Sequence, residues 1–528
     1  MKKDKLVQDV IAGYTFKGAY IELGAAMLEG EVLGDAKVKV AMKTLNRHGL
    51  ITGATGTGKT KTLQILAEQL SSQGVPSLLM DIKGDLSGIA AAAQTNARIE
   101  ERHTAINIPF VGAASPVEFL TLSQEKGARL RATVTEFGPV LFGKILELND
   151  TQSSVLSVIF KYCDDHRMPL IDLKDIKQVL QFIQQEGKAD FELAYGRMSA
   201  ATIGIITRKI IELESQGAEV FFGEQSFEID DLIRVKDGKG VVSIVRLTDI
   251  QDRPKLFSTF MLQLLGEVYM SLPEVGDPDK PKLIIFIDEA HLVFQEASKA
   301  LLNQIETIIR LIRSKGVGVV FCTQSPTDIP DMVLSQLGMK LQHSLRAFTA
   351  KDRKAIKLAA ENFPLSEYYD AAELITQLGT GEAMITVLDE KGRPTPLAHT
   401  MLRAPQSRMD ILTDSEIDNI IRQSNLISKY NREIDRESAF EILNSKVERI
   451  KLEEERAAFE EEKQKRSTTI DRSSTTRSRT STPAPKKTTS RRGKSTLKKA
   501  LDNTVTRQMG RTFTREITRG LMGMLGLK

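Results

Sequence analysis

The stretch His48-GLITGATGTGK-Thr60 decides how the rest of the chain is read. Leu50 and Ile51 begin it as an apolar strand, and Thr62-LQILAEQ-Leu70 follows with helical spacing of its apolar residues. Between them, Gly53, Gly58, Lys59 and Thr60 fill the fixed positions of G-x-x-x-x-G-K-[ST], with Ala54, Thr55, Gly56 and Thr57 completing the loop. Glycine lets such a backbone curl until successive N–H groups point inward at a polyphosphate. The helix that starts at its end adds its positive pole. Lys59 is placed to reach the β- and γ-phosphates and the Thr60 hydroxyl to hold a cation, so ATP and Mg2+ are the expected cofactors.

A second chemical centre is Pro281-KLIIFIDEA-His291, where five apolar residues end in two carboxylates. This fits a strand that delivers Asp288 to Mg2+ and Glu289 to the attacking water as general base. His291 reads as a polar contact behind them. Val75-PSLLM-Asp81 is another apolar strand ending in a carboxylate, followed by Lys83-GDLSG. Asp81 is therefore either a site residue or the cap of a turn. Val317-GVVFCTQSPTDIP is a further buried strand, and Gln324 at its end can hydrogen-bond a γ-phosphate or the lytic water. Arg310 and Arg313 share a face near the end of the helix before it, where cations also complement the helix dipole.

Strand, helix and strand recurring in units of about 30 residues predict an α/β fold with a mainly parallel sheet, ligands lying beyond the carboxyl ends of its strands. Residues 1–47 read as a short β-rich lead-in. Residues 48–149 and 236–410 read as the ATPase core, with short strands and turns over 95–150. A helical insertion is expected over 150–235 and a charged helical segment over 411–466. Residues 467–495 are rich in Ser, Thr, Arg and Pro, the composition of a disordered linker, and 496–528 has the apolar stripe of a basic amphipathic helix.

Charge is distributed unevenly. Residues 467–528 hold fifteen Lys or Arg against Asp471, Asp502 and Glu516, a net +12, which leaves −8 for the rest of a chain whose total is +4. The tail therefore suits DNA, an anionic membrane surface or another protein. Cys163 and Cys322 are too few for a disulfide framework or a metal cluster. No apolar run reaches the roughly 20 residues that span a bilayer, and the first residues lack a signal-peptide core, so a cytoplasmic location is expected.

Taken in order, Arg47-His48, GATGTGKT, the Asp81 strand with KGDL, IIFIDEAH, RLIRSKGVG, FCTQSP and LGTGEA resemble the HerA/FtsK superfamily of ring-forming motor ATPases, most of all its bacterial HerA-like (YjgR-like) subgroup. The resemblance implies a RecA-like P-loop core, assembly as a homohexamer and translocation on DNA. It also implies that Arg313 is donated to a neighbour's nucleotide, that Gln324 senses the γ-phosphate, that Arg47 lies near the subunit interface and that Asp81 belongs to the active site. Archaeal members carry a larger N-terminal β-barrel that docks a nuclease. Only about 45 residues precede the phosphate loop here, which argues against a nuclease partner. A nucleotide-dependent scaffold or switch that turns ATP over slowly is the competing expectation.

Overall fold

The computed structural model describes residues 2–294, 299–434 and 436–472. In chain order its strands are β1 (Tyr20–Leu28), β2 (Glu31–Ala41), β3 (Gly49–Thr52), β4 (Ser77–Asp81), β5 (Val117–Thr121), β6 (Ala128–Arg129), β7 (Val235–Lys236), β8 (Lys239–Gly240), β9 (Val242–Arg246), β10 (Leu283–Ile287), β11 (Val317–Thr323), β12 (Met339–Gln342), β13 (Glu382–Thr386) and β14 (Ala398–Leu402). β7 and β8 pair only with each other. The other twelve form one sheet in the order β2-β1-β14-β13-β12-β3-β11-β10-β4-β9-β5-β6. Neighbours from β12 to β6 are parallel. Those from β12 out to β2 are antiparallel. The α/β class with a mainly parallel sheet is thus realised, with an antiparallel wing on one side.

Every residue of β3, β4, β10 and β11 is buried. Strands covered on both faces read as continuous apolar runs rather than alternating ones, which is why LIIFI and VGVVF could be recognised. One cover is the helix Lys59–Ser72, which buries Leu63, Ile65, Leu66 and Leu70. Each such side chain contributes on the order of 2 kcal/mol when removed from water.

Two regions depart from the expectation. The lead-in opens with a helix, Lys2–Gly13, that packs Leu6 and Val10 inward, and its hairpin β1–β2 extends the main sheet rather than standing before it. Residues 95–150 contain two helices besides strands, Ala97–Ala105 capped by Asn96 and Val134–Ile145 capped by Thr133 with Glu136. Residues 150–235 hold the helices Asp150–Asp165, Leu173–Phe182, Lys188–Tyr195 and Ala200–Ser215. Beyond the sheet come Asp414–Arg422, Asn425–Tyr430 and Ala439–Arg472. The last of these continues past residue 467, where a linker was expected. The rest of that linker and the basic helix fall outside the described residues. Two compact units are distinguished, Met1–Lys446 and Val447–Lys528. Among the described residues no helix is long and apolar enough to cross a membrane.

Candidate active site

Sheet register gathers the motif residues. Thr52 of β3 lies opposite Thr323 of β11. Ile287 of β10 lies opposite Phe321 on one side and Met80 of β4 on the other. The residues that follow, Gly53, Gln324, Asp288 and Asp81, therefore emerge side by side at the carboxyl edge of four adjacent parallel strands. Gln324 is exposed there, while Thr323 beside it is tied down by a 2.6 Å hydrogen bond from its hydroxyl to Asp328.

The loop between Thr52 and Lys59 depends on glycine where the backbone turns over. Gly58 has φ +114°, in the left-handed half of conformational space. Gly53 has φ +155°, and a Cβ there would lie 2.5 Å from Cβ of His343. At the loop's tip Thr55 and Gly56 face solvent. At its base Lys59 is 5% exposed. Its Nζ donates to the Ala54 carbonyl at 3.1 Å, and the Thr57 hydroxyl donates to the same oxygen at 2.7 Å. Burial lowers the Lys59 pKa, against the pull of Asp288 and Glu289 nearby.

Asp288 is 1% exposed, and its carboxylate oxygens make no well-formed hydrogen bond, the Glu289 backbone N–H giving only a weak contact. The weakly donating Cys322 thiol lies against it, and the Lys83 ammonium is 4.0 Å away. Burial raises the Asp288 pKa, with Glu289 adding to the rise and Lys83 opposing it. A buried carboxylate left this poor in donors is costly unless a cation completes it. Among the described residues no cluster of three or more His, Cys, Asp or Glu could hold a metal alone. Mg2+ does not need one, because it keeps waters and phosphate oxygens as ligands beside one or two protein groups. Asp288, with the half-buried Thr60 hydroxyl, fits it.

Glu289 has φ +47°, a left-handed backbone uncommon outside glycine. Its carboxylate is held from two sides, by a close ion pair with Lys83 and by Nδ1 of His291 at 3.2 Å. His291 thus contacts the general-base candidate, as the reading of a supporting polar group expected. Lys83 is the residue whose role the sequence did not disclose. Asp81 explains its position. The Asp81 carboxylate accepts from the backbone N–H of Gly84, Asp85 and Leu86 at 2.8, 3.2 and 3.3 Å, so it folds the turn that carries Lys83 inward. Burial, with Asp85 adding to it, pushes Asp81 up to about 7. Of the two meanings offered for Asp81, the cap of a turn is what these bonds show, and that turn carries Lys83 to Glu289.

A second support stands on the other flank. His343, which follows β12, donates from Nδ1 to the Glu382 carbonyl (2.8 Å), so its Nε2 accepts from the Thr62 hydroxyl (2.9 Å) on the loop's helix. Burial lowers this imidazole to about 4 and keeps it neutral. The LGTGEA turn closes against the loop through Gly381 N–H to the Thr57 carbonyl at 3.2 Å. Arg102 clamps that turn by donating to the carbonyls of Thr380 and Gly381.

Arg47 and Arg313 lie elsewhere. Arg47 comes just before β3 and Arg313 just before β11, at the amino edge of the sheet. Both face Asp277, at 3.6 and 3.3 Å. Arg310 lies one helical turn earlier and is exposed. Behind the pair, His48 locks the edge together. Its Nδ1 accepts from Val319 N–H at 3.0 Å, and Nε2 donates to the Ile309 carbonyl at 2.8 Å.

Several known proteins are similar to this chain. The DNA double-strand break repair helicase HerA of Sulfurisphaera tokodaii is 24% identical over 362 residues, 67% of this chain and 66% of that protein. The HerA helicase of Saccharolobus solfataricus is 24% identical over 383 residues, 70% of this chain and 67% of its own. A probable helicase of Methanocaldococcus jannaschii is 25% identical over 411 residues, 72% and 70% of the two chains. The chain thus spans about two thirds of the length of these relatives. Among solved structures, the bacterial conjugative coupling protein TrwB aligns over 78% of this chain and 94% of its own, at 15% identity and a TM-score of 0.48. The helicase HerA-like C-terminal family matches residues 27–528, nearly the entire sequence, and the protein belongs to that family.

Proposed function

We propose that the protein is an ATP-hydrolysing motor that works on DNA as a ring, most simply a homohexamer. The observation that carries this is the separation of the two arginines from the phosphate loop of their own chain. Arg313 and Gln324 bracket β11, whose seven residues span on the order of 23 Å. Arg313 therefore sits at the wrong end of the strand to reach a nucleotide held by Lys59 of the same chain. A subunit packed with its amino edge against a neighbour's carboxyl edge would place Arg47 and Arg313 where that neighbour's phosphates lie.

The residues divide the work as follows. The loop N–H groups of residues 53–58 and the Lys59 ammonium bind the triphosphate. Thr60 and Asp288 would hold Mg2+, which supplies charge neutralisation at the phosphates. Glu289, oriented by Lys83 and His291, takes a proton from the attacking water. Gln324 positions that water or the γ-phosphate, and Arg313 of the next subunit stabilises the charge that develops on transfer. DNA enters the reading because the archaeal relatives are named as DNA repair helicases, and because the tail carries +12.

The test is ATPase activity with and without duplex DNA at two salt concentrations, alongside sedimentation with an ATP analogue. A motor gives DNA-stimulated turnover that falls steeply with salt, from an oligomer. Turnover that is slow and indifferent to DNA would instead support a nucleotide-dependent scaffold, and full activity from a monomer would sink the ring.

A further inference from the structure

We propose that residues 346–357, with the helix Ala350–Glu361 at their centre, form the surface on the ATPase core that grips the phosphate backbone of DNA. The inference rests on the DNA-motor reading above and names the contact it requires.

Arg346, Lys351, Arg353, Lys354 and Lys357 fall within twelve residues, and all five are exposed. None of the five makes an ion pair among the described residues. The one acid between them, Asp352, is occupied in capping the helix, accepting from Phe348 N–H at 3.0 Å and Thr349 N–H at 2.8 Å. Elsewhere the surface cations are commonly matched, as Lys126 is with Asp418 and Arg408 with Glu416. Unmatched like charges on one short helix repel one another, and an external polyanion relieves that repulsion. Phe348 lies among them and is 80% exposed, an aromatic face that water does not favour and on which a base or sugar can rest.

Placement adds a second reason. The segment leaves β12 directly after His343, the residue hydrogen-bonded to the phosphate-loop helix. The opposite face of the helix Ala350–Glu361 buries Ile356 and Ala359 with Leu345, Ile375 and Leu378, and Leu378 begins the turn that braces the phosphate loop. The helix also packs against Pro326–Asp328, the turn that follows Gln324. A polyanion held here would therefore press on both supports of the nucleotide site, the geometry a DNA-stimulated ATPase needs. A membrane would meet the same charges but would have no use for this position.

The experiment replaces Arg353→Gln, Lys354→Gln and Lys357→Gln together in the full chain. All three are exposed and none touches the nucleotide site. Binding to a duplex of about 30 base pairs is followed across salt, together with ATPase activity with and without the duplex. The expected result is a salt dependence shallower by about 3 in the log–log slope, affinity at least about tenfold weaker near physiological salt, and loss of most of the DNA-stimulated rate. Basal ATPase rate and melting temperature should match the wild type. The charge-conserving set Arg353→Lys, Lys354→Arg and Lys357→Arg should bind duplex as the wild type does. A triple-glutamine variant with wild-type slope and stimulation overturns this assignment while leaving the motor reading intact. Loss of binding to phosphatidylserine vesicles with duplex binding unchanged overturns it in favour of a membrane surface. A wild-type chain that binds no duplex at any salt removes the motor reading and this surface with it.

Discussion

At the carboxyl edge of β3, β11, β10 and β4, charged groups are buried, and Asp288 among them is short of donors. At the amino edge of the same strands, Arg47 and Arg313 stand half open to solvent and share one carboxylate. Asp288 and Lys59 are 1% and 5% exposed, whereas the side chains of Arg313 and Asp277 are 42% and 46% exposed. Buried charge of the first kind is retained at a cost that a ligand must offset, here triphosphate and cation. An exposed pair of the second kind is worth at most about 1 kcal/mol, so its arginines can be redirected to another anion with little loss. On the function proposed above, one edge holds a nucleotide and the other frees its arginines for a neighbour's.

The sharpest way to break that contrast is at the first edge. Lys59→Ala should abolish turnover and weaken ATP binding together, because the ammonium acts on the ground state as well as on the reaction. Glu289→Gln should lower kcat by about 10^3 with nucleotide binding retained. Equilibrium binding of a fluorescent ATP analogue separates the two, and normal turnover in Glu289→Gln would remove it from the base role. At the second edge, Arg313→Ala should cost about 10^3 in kcat with binding unchanged. Mixing Arg313→Ala subunits with Lys59→Ala subunits should then recover activity, since each supplies what its neighbour lacks. No recovery in subunits shown to co-assemble would place Arg313 outside the trans role.

A smaller effect belongs to Lys83. Lys83→Met leaves two buried carboxylates facing each other without their cation, and kcat should fall by about tenfold, with Lys83→Arg recovering part of it. A Lys83→Met enzyme of wild-type kcat would reduce the ion pair with Glu289 to packing.

How far these parts could be read beforehand follows from what each depends on. The phosphate loop and IIFIDEA were legible because their chemistry sits in contiguous residues after a continuous apolar strand, a signal that needs no tertiary information. Lys83 was quoted in KGDL without a role because its contact with Glu289 joins residues about 200 apart through the register of β4 on β10. Asp277 was hidden for the same reason: it lies in a turn between a helix and β10, and only folding brings it to Arg47 and Arg313. The helix Lys2–Gly13 did carry a signal, Leu6-Val7 and Val10-Ile11 one turn apart, but two apolar repeats in twelve residues are too short for periodicity to decide. The helix Val134–Ile145 did carry a signal, Thr133 and Glu136 as a capping box, but Gly138 and Pro139 break the apolar spacing behind it.

The smallest effect tests what holds the arginine edge in place. His48 is buried and lowered to about 4, by burial first and by Arg313 in part. Its Nδ1 must stay unprotonated to accept from Val319 N–H, and its Nε2–H serves the Ile309 carbonyl. The folded pKa lies below the ordinary value of about 6.5, so the neutral ring's contribution is full above that pH and is lost as pH falls toward 4. At pH 5 the loss from this one residue is about 2 kcal/mol by linkage. His48→Gln keeps an acceptor and a donor but cannot take up the proton. Its melting temperature should be lower than wild type at pH 7.5, from imperfect fit, and should fall less between pH 7.5 and 5. His343, also neutral and lowered to about 4 at the opposite edge, remains in both proteins and cancels from the difference. Parallel losses in the two proteins would mean that His48 takes up its proton as readily in the fold as outside it, and the Val319 N–H of the lock on the Arg47 edge would need another acceptor.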